Sequence, residues 1–178
     1  DERVNRGIRS VELRISGKQV LVANTHTSYS DSRGFTEIQK QQFRELETYL
    51  DHVQREYDYV VIGGDFNAGP NLDFKESEYN VAQELWHDGL IRHMQAANFQ
   101  LVSQTSENTW SESLNPLVSH PSLLIKLINK KEYGVCAWEE TDSILDHIFA
   151  SNSFGLVSSQ VVLNQAQDFS CQGRKTSY

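Results

Sequence analysis

The most constraining feature of this sequence is a long amphipathic helical pattern that is followed at once by a short apolar run. Apolar residues recur at helical spacing over residues 36–57, and the run at 59–62 ends at Gly63 and Gly64. A helix of this kind between two strands predicts a βαβ unit with parallel strands and a right-handed crossover. The apolar run predicts a strand that is buried on both faces.

Other elements are predicted on both sides of this unit. Residues 11–15 and 19–25 fit two strands joined by a turn, and Thr36 with Gln39 fits a capping box at the start of the long helix. The remaining predictions are a helix over 78–97, a strand at 100–103, a loop at 104–121, a short amphipathic helix at 122–131, and strands at 143–150 and 157–163. This order predicts one α/β domain in mixed layers, with functional groups at the carboxyl ends of strands.

Composition and charge exclude several classes of protein. The chain has 178 residues, with 16 Lys+Arg and 24 Asp+Glu, and therefore a formal net charge of −8. This length suits one domain with a real core, and the apolar runs are too short for a transmembrane helix. The acidic balance argues against binding nucleic acid by phosphate neutralisation alone, but it allows an enzyme whose metal ion supplies positive charge. Two cysteines are too few for a Cys-rich zinc site.

Two short segments place useful polar side chains at predicted strand ends. Alternation along the strand that ends at His26 puts Asn24 and His26 on one face. After the buried strand, Asp65 and Asn67 point the same way while Phe66 turns back into the core. This pair suits a phosphoryl site, because the acid can bind a metal or orient a water and the amide can donate to a phosphate oxygen. The same residue types are equally typical of an Asx turn.

A third candidate, Asp146, lies inside a predicted apolar strand. An unpaired carboxylate would be costly there, so the sequence predicts a partner. His26 is the natural partner, because a carboxylate fixes the tautomer of a histidine. The neighbouring His147 faces the other way and is predicted to be structural. The sequence has no nucleophile elbow, P-loop, dinucleotide fingerprint or zinc-protease motif.

Taken together and in order, these segments resemble the endonuclease/exonuclease/phosphatase family of metal-dependent phosphodiesterases. The matching pieces are Asn24-Thr25-His26, Arg33 to Gln39 with Gln42 and Glu45-Leu46, residues 61–68 (VIGGDFNA), Thr109-Trp110, and residues 143–149 (SILDHIF). Thr109-Trp110, followed by Asn115-Pro116-Leu117, and the Asp-His-Ile-Phe strand are most similar to the sphingomyelinase-like branch.

The resemblance implies an α/β fold, a mixed-sheet layered sandwich, and roles for individual residues. His26 would contact the scissile phosphate and assist departure of the leaving group, with Asp146 orienting it. Asp65 would activate the attacking water near a divalent cation, Mg²⁺ or another, and Asn67 would hold the phosphate. In the sphingomyelinase-like branch Asn115 would reach the substrate, although a plain loop residue before proline fits that position equally well.

Two parts of the family pattern are missing from this sequence: an upstream Glu that is the principal metal ligand, and a terminal Ser-Asp-His. We therefore expect residues 1–178 to be a single domain that forms the central to C-terminal part of a larger, here incomplete, sandwich. The main carboxylate ligand is expected outside the chain. The piece alone is expected to bind metal poorly and to be inactive.

The activity expected of the whole protein is metal-dependent hydrolysis of a phosphodiester by water, with a phospholipid such as sphingomyelin as the first choice. The alternatives are a nuclease of the same family and a non-catalytic interaction module on the same scaffold. No stable partner is predicted beyond a lipid or nucleic-acid substrate. The segment 122–131 could make a peripheral membrane contact, but a core-facing helix is favoured. The cellular compartment is left open, with a slight preference for secretion.

Overall fold

Nine strands and three helical segments are seen in the computed structural model, which describes residues 6–28, 35–70, 84–103, 107–111, 142–155, 168–171 and 174–177. In chain order the strands are β1 (Ile8–Ile15), β2 (Lys18–His26), β3 (Tyr59–Asp65), β4 (Phe99–Leu101), β5 (Trp110–Ser111), β6 (Asp142–Ser143), β7 (Asp146–Ser151), β8 (Asp168–Cys171) and β9 (Arg174–Ser177). The helices are α1 (Phe35–Val53), a π-helical segment (Glu84–Ile91) and the short α2 (Arg92–Ala96).

Five of the strands form one mixed sheet in the order β1-β2-β3-β7-β4. β2 and β3 are parallel, and the other neighbouring pairs are antiparallel. Helix α1 connects the two parallel strands, as the sequence predicts for a βαβ unit. The mixed α/β class is therefore confirmed.

The β1–β2 hairpin turns at Ser16 and Gly17, whose φ angles are 51° and 80°. Two consecutive positive φ angles belong to the type I′ turn, whose twist matches that of the strands it joins. The turn fixes the register in which Ile8 pairs with Thr25 and Ile15 with Lys18. Both strands are longer than the sequence pattern predicts, because the pairing continues beyond the apolar residues.

One face of the sheet packs against α1 and the π-helical segment. The buried residues of this core include Leu21, Ala23, Val60, Ile62 and Phe149 from the sheet and Phe43, Leu46, Leu50, Leu85, Leu90 and Met94 from the helices. Within the described ranges, none of the helices combines the length and apolar character needed to cross a membrane. Helix α1 ends at Val53, earlier than predicted, because residues 54–56 form the turn that leads into β3.

The opposite face of the sheet carries exposed apolar side chains. They are Val11, Leu13, Ile15, Val22 and Ile148, and along β2 and β7 the exposed residues alternate with buried ones. The register puts His26, Asp65 and Asp146 on this face, at one end of the sheet. The candidate site residues therefore lie on the same face as these exposed apolar side chains.

Several predicted elements differ from the structure or lie outside the described residues. The last predicted strand before residue 150 begins at Asp146 rather than at 143, and residues 142–143 pair instead with Trp110–Ser111, where a loop was predicted. The predicted helix over 78–97 is confirmed only in part, as a π-helical segment that continues into α2. The predicted helix at 122–131, the strand at 157–163 and residues 78–83 lie outside the described residues.

Candidate active site

Three of the predicted site residues lie side by side in one row across the sheet. The parallel register pairs His26 of β2 with Asp65 of β3, and the antiparallel register pairs Asp65 with Asp146 of β7. Residues that are paired on neighbouring strands point to the same face, and each strand is about 4.8 Å from the next. The sheet therefore brings together an imidazole and two carboxylates that are far apart in the sequence.

Asp146 reaches this row by a route that differs from the prediction. It was expected inside the predicted strand over 143–150, but it is the first residue of β7. Because β7 runs antiparallel to β3, its amino end lies beside the carboxyl ends of β2 and β3. Two hydrogen bonds hold the amino end of β7, since the backbone N–H groups of Leu145 and Asp146 both donate to Thr109 Oγ1, each at 3.0 Å.

The expected contact between Asp146 and His26 is not the one that the structure gives. His26 Nε2 lies 3.3 Å from Asp65 Oδ2, so among the described residues the carboxylate beside this histidine is Asp65. The reason is that β3 lies between β2 and β7. The expectation that Asp146 is buried is also wrong, because its side chain is exposed. An exposed carboxylate needs no buried partner.

The surroundings of Asp65 shift the pKa of its carboxyl. Burial raises the pKa of its carboxyl above the ordinary value, and the negative charge of Asp146 raises it further. The amide of Asn67 and the charges of His26 and Arg6 act in the opposite direction, with a smaller combined effect. The ionised form of Asp65 is thus disfavoured in the fold, and a nearby cation would relieve the unfavourable energy.

The two oxygens of Asp65 have different neighbours. Oδ1 accepts the backbone N–H of Asn67 at 2.8 Å, which makes the Asx turn that the sequence allows, while Oδ2 faces His26. Asn67 has a φ of 47°, and its Nδ2 donates to Thr27 O at 2.9 Å. Phe66 points into the core, as predicted. The segment is therefore an Asx turn and a candidate catalytic turn at once.

A glycine before Asp65 is required by the backbone of the neighbouring strand. A Cβ at Gly64 would lie 1.9 Å from the carbonyl oxygen of Thr25, and the φ angle of Gly64 is 147°. In the structure the close approach at Gly64 is by strand β2.

His147 is structural, which confirms the prediction. Its side chain is buried, its Nε2 donates to Ala68 O at 2.8 Å, and its ring lies 4.6 Å from that of Trp86. Burial lowers the pKa of the imidazole below its usual value. The neutral ring thus connects β7 to the turn that follows Asp65.

Sequence reasoning gave no site role to Arg6, and it gave Gln39 a different one. Arg6 Nη1 donates to Thr27 O at 3.0 Å, and its charge lowers the pKa of Asp65. Only the pairing of β1 with β2 brings this arginine near the site, so no local pattern could have identified it. Gln39 donates to the backbone of the Asp65 turn from helix α1. Asn115, the predicted substrate contact, lies outside the described residues.

The row offers ligand atoms of the kind that a hard divalent cation binds, but too few of them among the described residues to hold one. Asp65 and Asp146 offer carboxylate oxygens, the donors that Mg²⁺ prefers. Among the described residues, however, there is no group of three or more His, Cys, Asp or Glu side chains that could hold a metal ion. Asp65 fits the role of one ligand, and further ligands would have to come from elsewhere.

Comparisons with known proteins support the fold rather than the sequence family. Neither a protein-family model nor a curated protein matches the chain. Solved structures do match. Beta toxin from Staphylococcus aureus has a TM-score of 0.56 and 19% identity over 97% of this chain and 53% of the toxin. SmcL has a TM-score of 0.57 and 19% identity, over 98% of this chain and 54% of SmcL. A double mutant of the S. aureus toxin with bound magnesium ions has a TM-score of 0.52 and 18% identity, over 98% and 53% of the two chains.

These likenesses establish what the chain shares with the solved structures. The chain spans about half the length of each of these three chains. Identities below 20% carry the fold alone. The chain therefore shares the mixed-sheet α/β fold of these structures.

Proposed function

We propose that this chain carries part of the active site of a metal-dependent phosphodiesterase, which cleaves a phosphodiester by attack of water. The observation that carries the proposal is the row of His26, Asp65 and Asp146 at one end of the sheet, with Asn67 in the turn that follows. The fold shared with beta toxin and SmcL supports the same reaction class.

The geometry suggests how these side chains divide the work. Asp65 would orient or deprotonate the attacking water through Oδ2, since Oδ1 is held in the turn. Its raised pKa makes it a stronger base than an ordinary aspartate. His26, whose side chain is 55% exposed, can reach the scissile phosphate and pass a proton to the leaving group. Asn67 has a second Nδ2 proton beyond the one given to Thr27, and this proton can bind a phosphate oxygen.

Asp146 would act mainly through its charge. It lies on the far side of Asp65 from His26, and its charge raises the pKa of Asp65. We therefore assign it to tuning Asp65, and any orienting effect on His26 is transmitted through Asp65. Arg6 partly balances the two carboxylates, which is needed if an anionic phosphodiester is to approach them.

A divalent cation, with Mg²⁺ as the first choice, would bind at Asp65. It would supply positive charge to the phosphate and lower the pKa of a bound water. The magnesium bound in the beta toxin double mutant, whose fold is similar, supports this choice. The principal carboxylate ligand is expected from outside the described residues.

A phospholipid headgroup such as that of sphingomyelin is the proposed substrate. The resemblance of residues 109–117 and 146–149 to the sphingomyelinase-like branch favours it. The net charge of −8 disfavours a polyanionic nucleic acid. A nuclease of the same family is the second candidate, because the same groups can hydrolyse any phosphodiester.

The test is a hydrolysis panel on the protein that contains this chain. Sphingomyelin vesicles, plain DNA and a soluble aryl phosphodiester are compared in Mg²⁺ and in EDTA. We expect Mg²⁺-dependent hydrolysis of sphingomyelin, and a loss of at least about a hundredfold in Asp65→Ala. The matched control is Asp58→Ala, an exposed aspartate just before β3 that binds Lys18 at 2.8 Å.

Each other outcome has a defined meaning. Hydrolysis of DNA but not of sphingomyelin would replace the lipid with nucleic acid. Hydrolysis that is equally fast in Asp65→Ala would remove Asp65 from the mechanism. Binding of a phosphodiester without hydrolysis in any condition would favour the non-catalytic interaction module.

A further inference from the structure

A buried amide from helix α1 reaches the turn that carries Asp65 and Asn67. Gln39 is 0% exposed, and its Nε2 donates to Phe66 O at 3.0 Å and to Asn67 O at 2.9 Å. The partners are 27 and 28 residues further along the chain, so these bonds are tertiary. They connect the βαβ helix directly to the candidate site.

The position of Gln39 in the helix does not suit the capping box that the sequence suggests. A capping box needs the Glu or Gln three residues after the N-cap. Helix α1 begins at Phe35, so Gln39 lies in its second turn, beyond the reach of the first free amide groups. The amide is therefore available for the turn at 66–67.

The turn needs such support because its backbone is unfavourable. Asn67 is a non-glycine residue with a φ of 47°, a region that costs energy and persists only where neighbours hold it. The carbonyl groups of Phe66 and Asn67 are also shielded from water, so each needs a donor. Gln39 serves both carbonyls with one nitrogen, and Thr27 Oγ1 adds a second donor to Phe66 O.

Gln39 meets this need at a cost to its own side chain. Among the described residues, its Oε1 is buried and has no hydrogen-bond partner. A buried carbonyl without a donor is destabilising. An apolar residue of similar length would remove that cost but would leave the turn without its donor. The arrangement therefore favours the geometry of the turn over the stability of the helix contact.

We infer that Gln39 is a positioning residue for Asp65. Its bond to Phe66 O fixes the plane of the Phe66–Asn67 peptide, and this directs the Asn67 N–H at Asp65 Oδ1, while its bond to Asn67 O holds the next peptide. With Oδ1 held in the turn, Oδ2 is left facing His26. The catalytic meaning of this positioning rests on the proposed function, but the positioning itself can be measured without any substrate.

The first measurement needs no variant. In the 178-residue chain, the Nε2 protons of Gln39 should exchange with solvent far more slowly than those of Gln41. Gln41 lies on the exposed side of the same helix and donates to Glu45 at 2.8 Å. Equal exchange rates for the two side chains would show that the buried bonds are not formed, and would overturn the inference.

The second measurement is the backbone amide signal of Asn67, followed by NMR in Gln39→Met. The Asn67 N–H donates to Asp65 Oδ1 at 2.8 Å, so a loosened turn should move its proton resonance upfield. Exchange of the Asn67 amide should become about tenfold faster. Two controls should leave both readouts unchanged. Gln41→Met makes the same chemical change on the exposed side of the helix, and Leu50→Val lowers the stability of the core.

The outcomes separate this inference from the proposed function. If Gln39→Met changes thermal stability but leaves the resonance and the exchange rate of the Asn67 amide unaltered, Gln39 is a packing residue only and the inference is wrong. If both readouts move while Asp65→Ala hydrolyses phosphodiesters normally, Gln39 positions Asp65 but the proposed function fails.

Discussion

Replacement of Asp65 by asparagine should stabilise the fold while it abolishes activity. Burial and the charge of Asp146 both disfavour the ionised carboxylate. Asparagine removes the charge but keeps an oxygen that can accept the Asn67 N–H. Such a gain in stability from the loss of a functional group is expected where a site is arranged for chemistry rather than for folding.

The size of the effect follows from the sheet geometry. Paired residues on antiparallel strands are about 5.5 Å apart, where two unit charges repel by about 0.8 kcal/mol in water and about 3 kcal/mol at an effective dielectric constant of about 20. Asp146 is exposed, so a value near 1 kcal/mol is appropriate. Loss of the contact with His26 lowers the gain in stability by about 0.2–1 kcal/mol, while removal of the partly buried charge raises it. The net gain should be about 0.5–1 kcal/mol, or a rise in Tm of about 1–4 °C.

The gain in stability of Asp65→Asn should depend on pH. A raised pKa in the folded state means that the folded protein binds the proton of Asp65 more tightly than the unfolded chain. The stabilisation that comes from protonated Asp65 is therefore fully present below the ordinary pKa of 3.8. It is lost as the pH rises through the higher pKa of the folded state. The advantage of Asp65→Asn should thus appear at neutral pH and disappear in acid.

Urea unfolding of the wild type and of Asp65→Asn at pH 7 and in acid is the assay. Asp146→Asn is the matched variant, because it relieves the same repulsion but retains both contacts of Asp65. Asp58→Asn is the opposite control. Its carboxyl pKa is lowered, chiefly by hydrogen bonding to Lys18, so this variant should lose stability at pH 7. A loss of stability in Asp65→Asn at pH 7 would refute the reasoning.

Three further predictions concern single residues. Gly64→Ala should destabilise the fold by about 4 kcal/mol or more, since its Cβ would lie 1.9 Å from a carbonyl oxygen of β2, whereas Gly155→Ala, which has open space, should change the urea midpoint little. His147→Phe should flatten the stability profile in acid. Burial lowers the pKa of His147, so the wild type loses stability as the pH falls below about 6.5, a loss that urea unfolding of the variant should lack. His26→Ala should lower phosphodiester turnover by at least about a hundredfold with little effect on Tm, and normal turnover would exclude His26 from the mechanism.

The βαβ unit could be predicted because its signals are local. The period of the apolar residues and the glycines after residue 62 set the order strand, helix, strand. The predicted strand ends then brought His26 and Asp65 to one edge, as their register confirms. The turn after Asp65 was open between two interpretations. The structure confirms the Asx turn, in which Oδ1 accepts the Asn67 N–H, and it leaves Oδ2 facing His26, while the phosphoryl site stays a prediction.

The features that were missed depend on contacts between distant segments. Nothing in residues 143–150 reveals that β7 runs antiparallel to β3, and this direction decides that Asp146 is exposed and lies beside Asp65. The spacing of Thr36 and Gln39 matches a capping box, but burial against the turn at 66–67 gives the amide of Gln39 other partners. Arg6 is near the site only because β1 pairs with β2. Local periodicity carries no information of this kind.

The proposed site is tested most directly by chemical-shift mapping on the isotope-labelled protein that contains this chain. Dimethyl phosphate, a small phosphodiester, is added in the presence and absence of Mg²⁺. We expect saturable, Mg²⁺-dependent shifts at the His26 ring, the Asp65 carboxyl and the Asn67 amide, with none at Asp58 or Lys18 at the opposite end of β2 and β3. Shifts confined to other surfaces, or an undisturbed row in both conditions, would contradict the claim that these strand ends form a phosphodiester site.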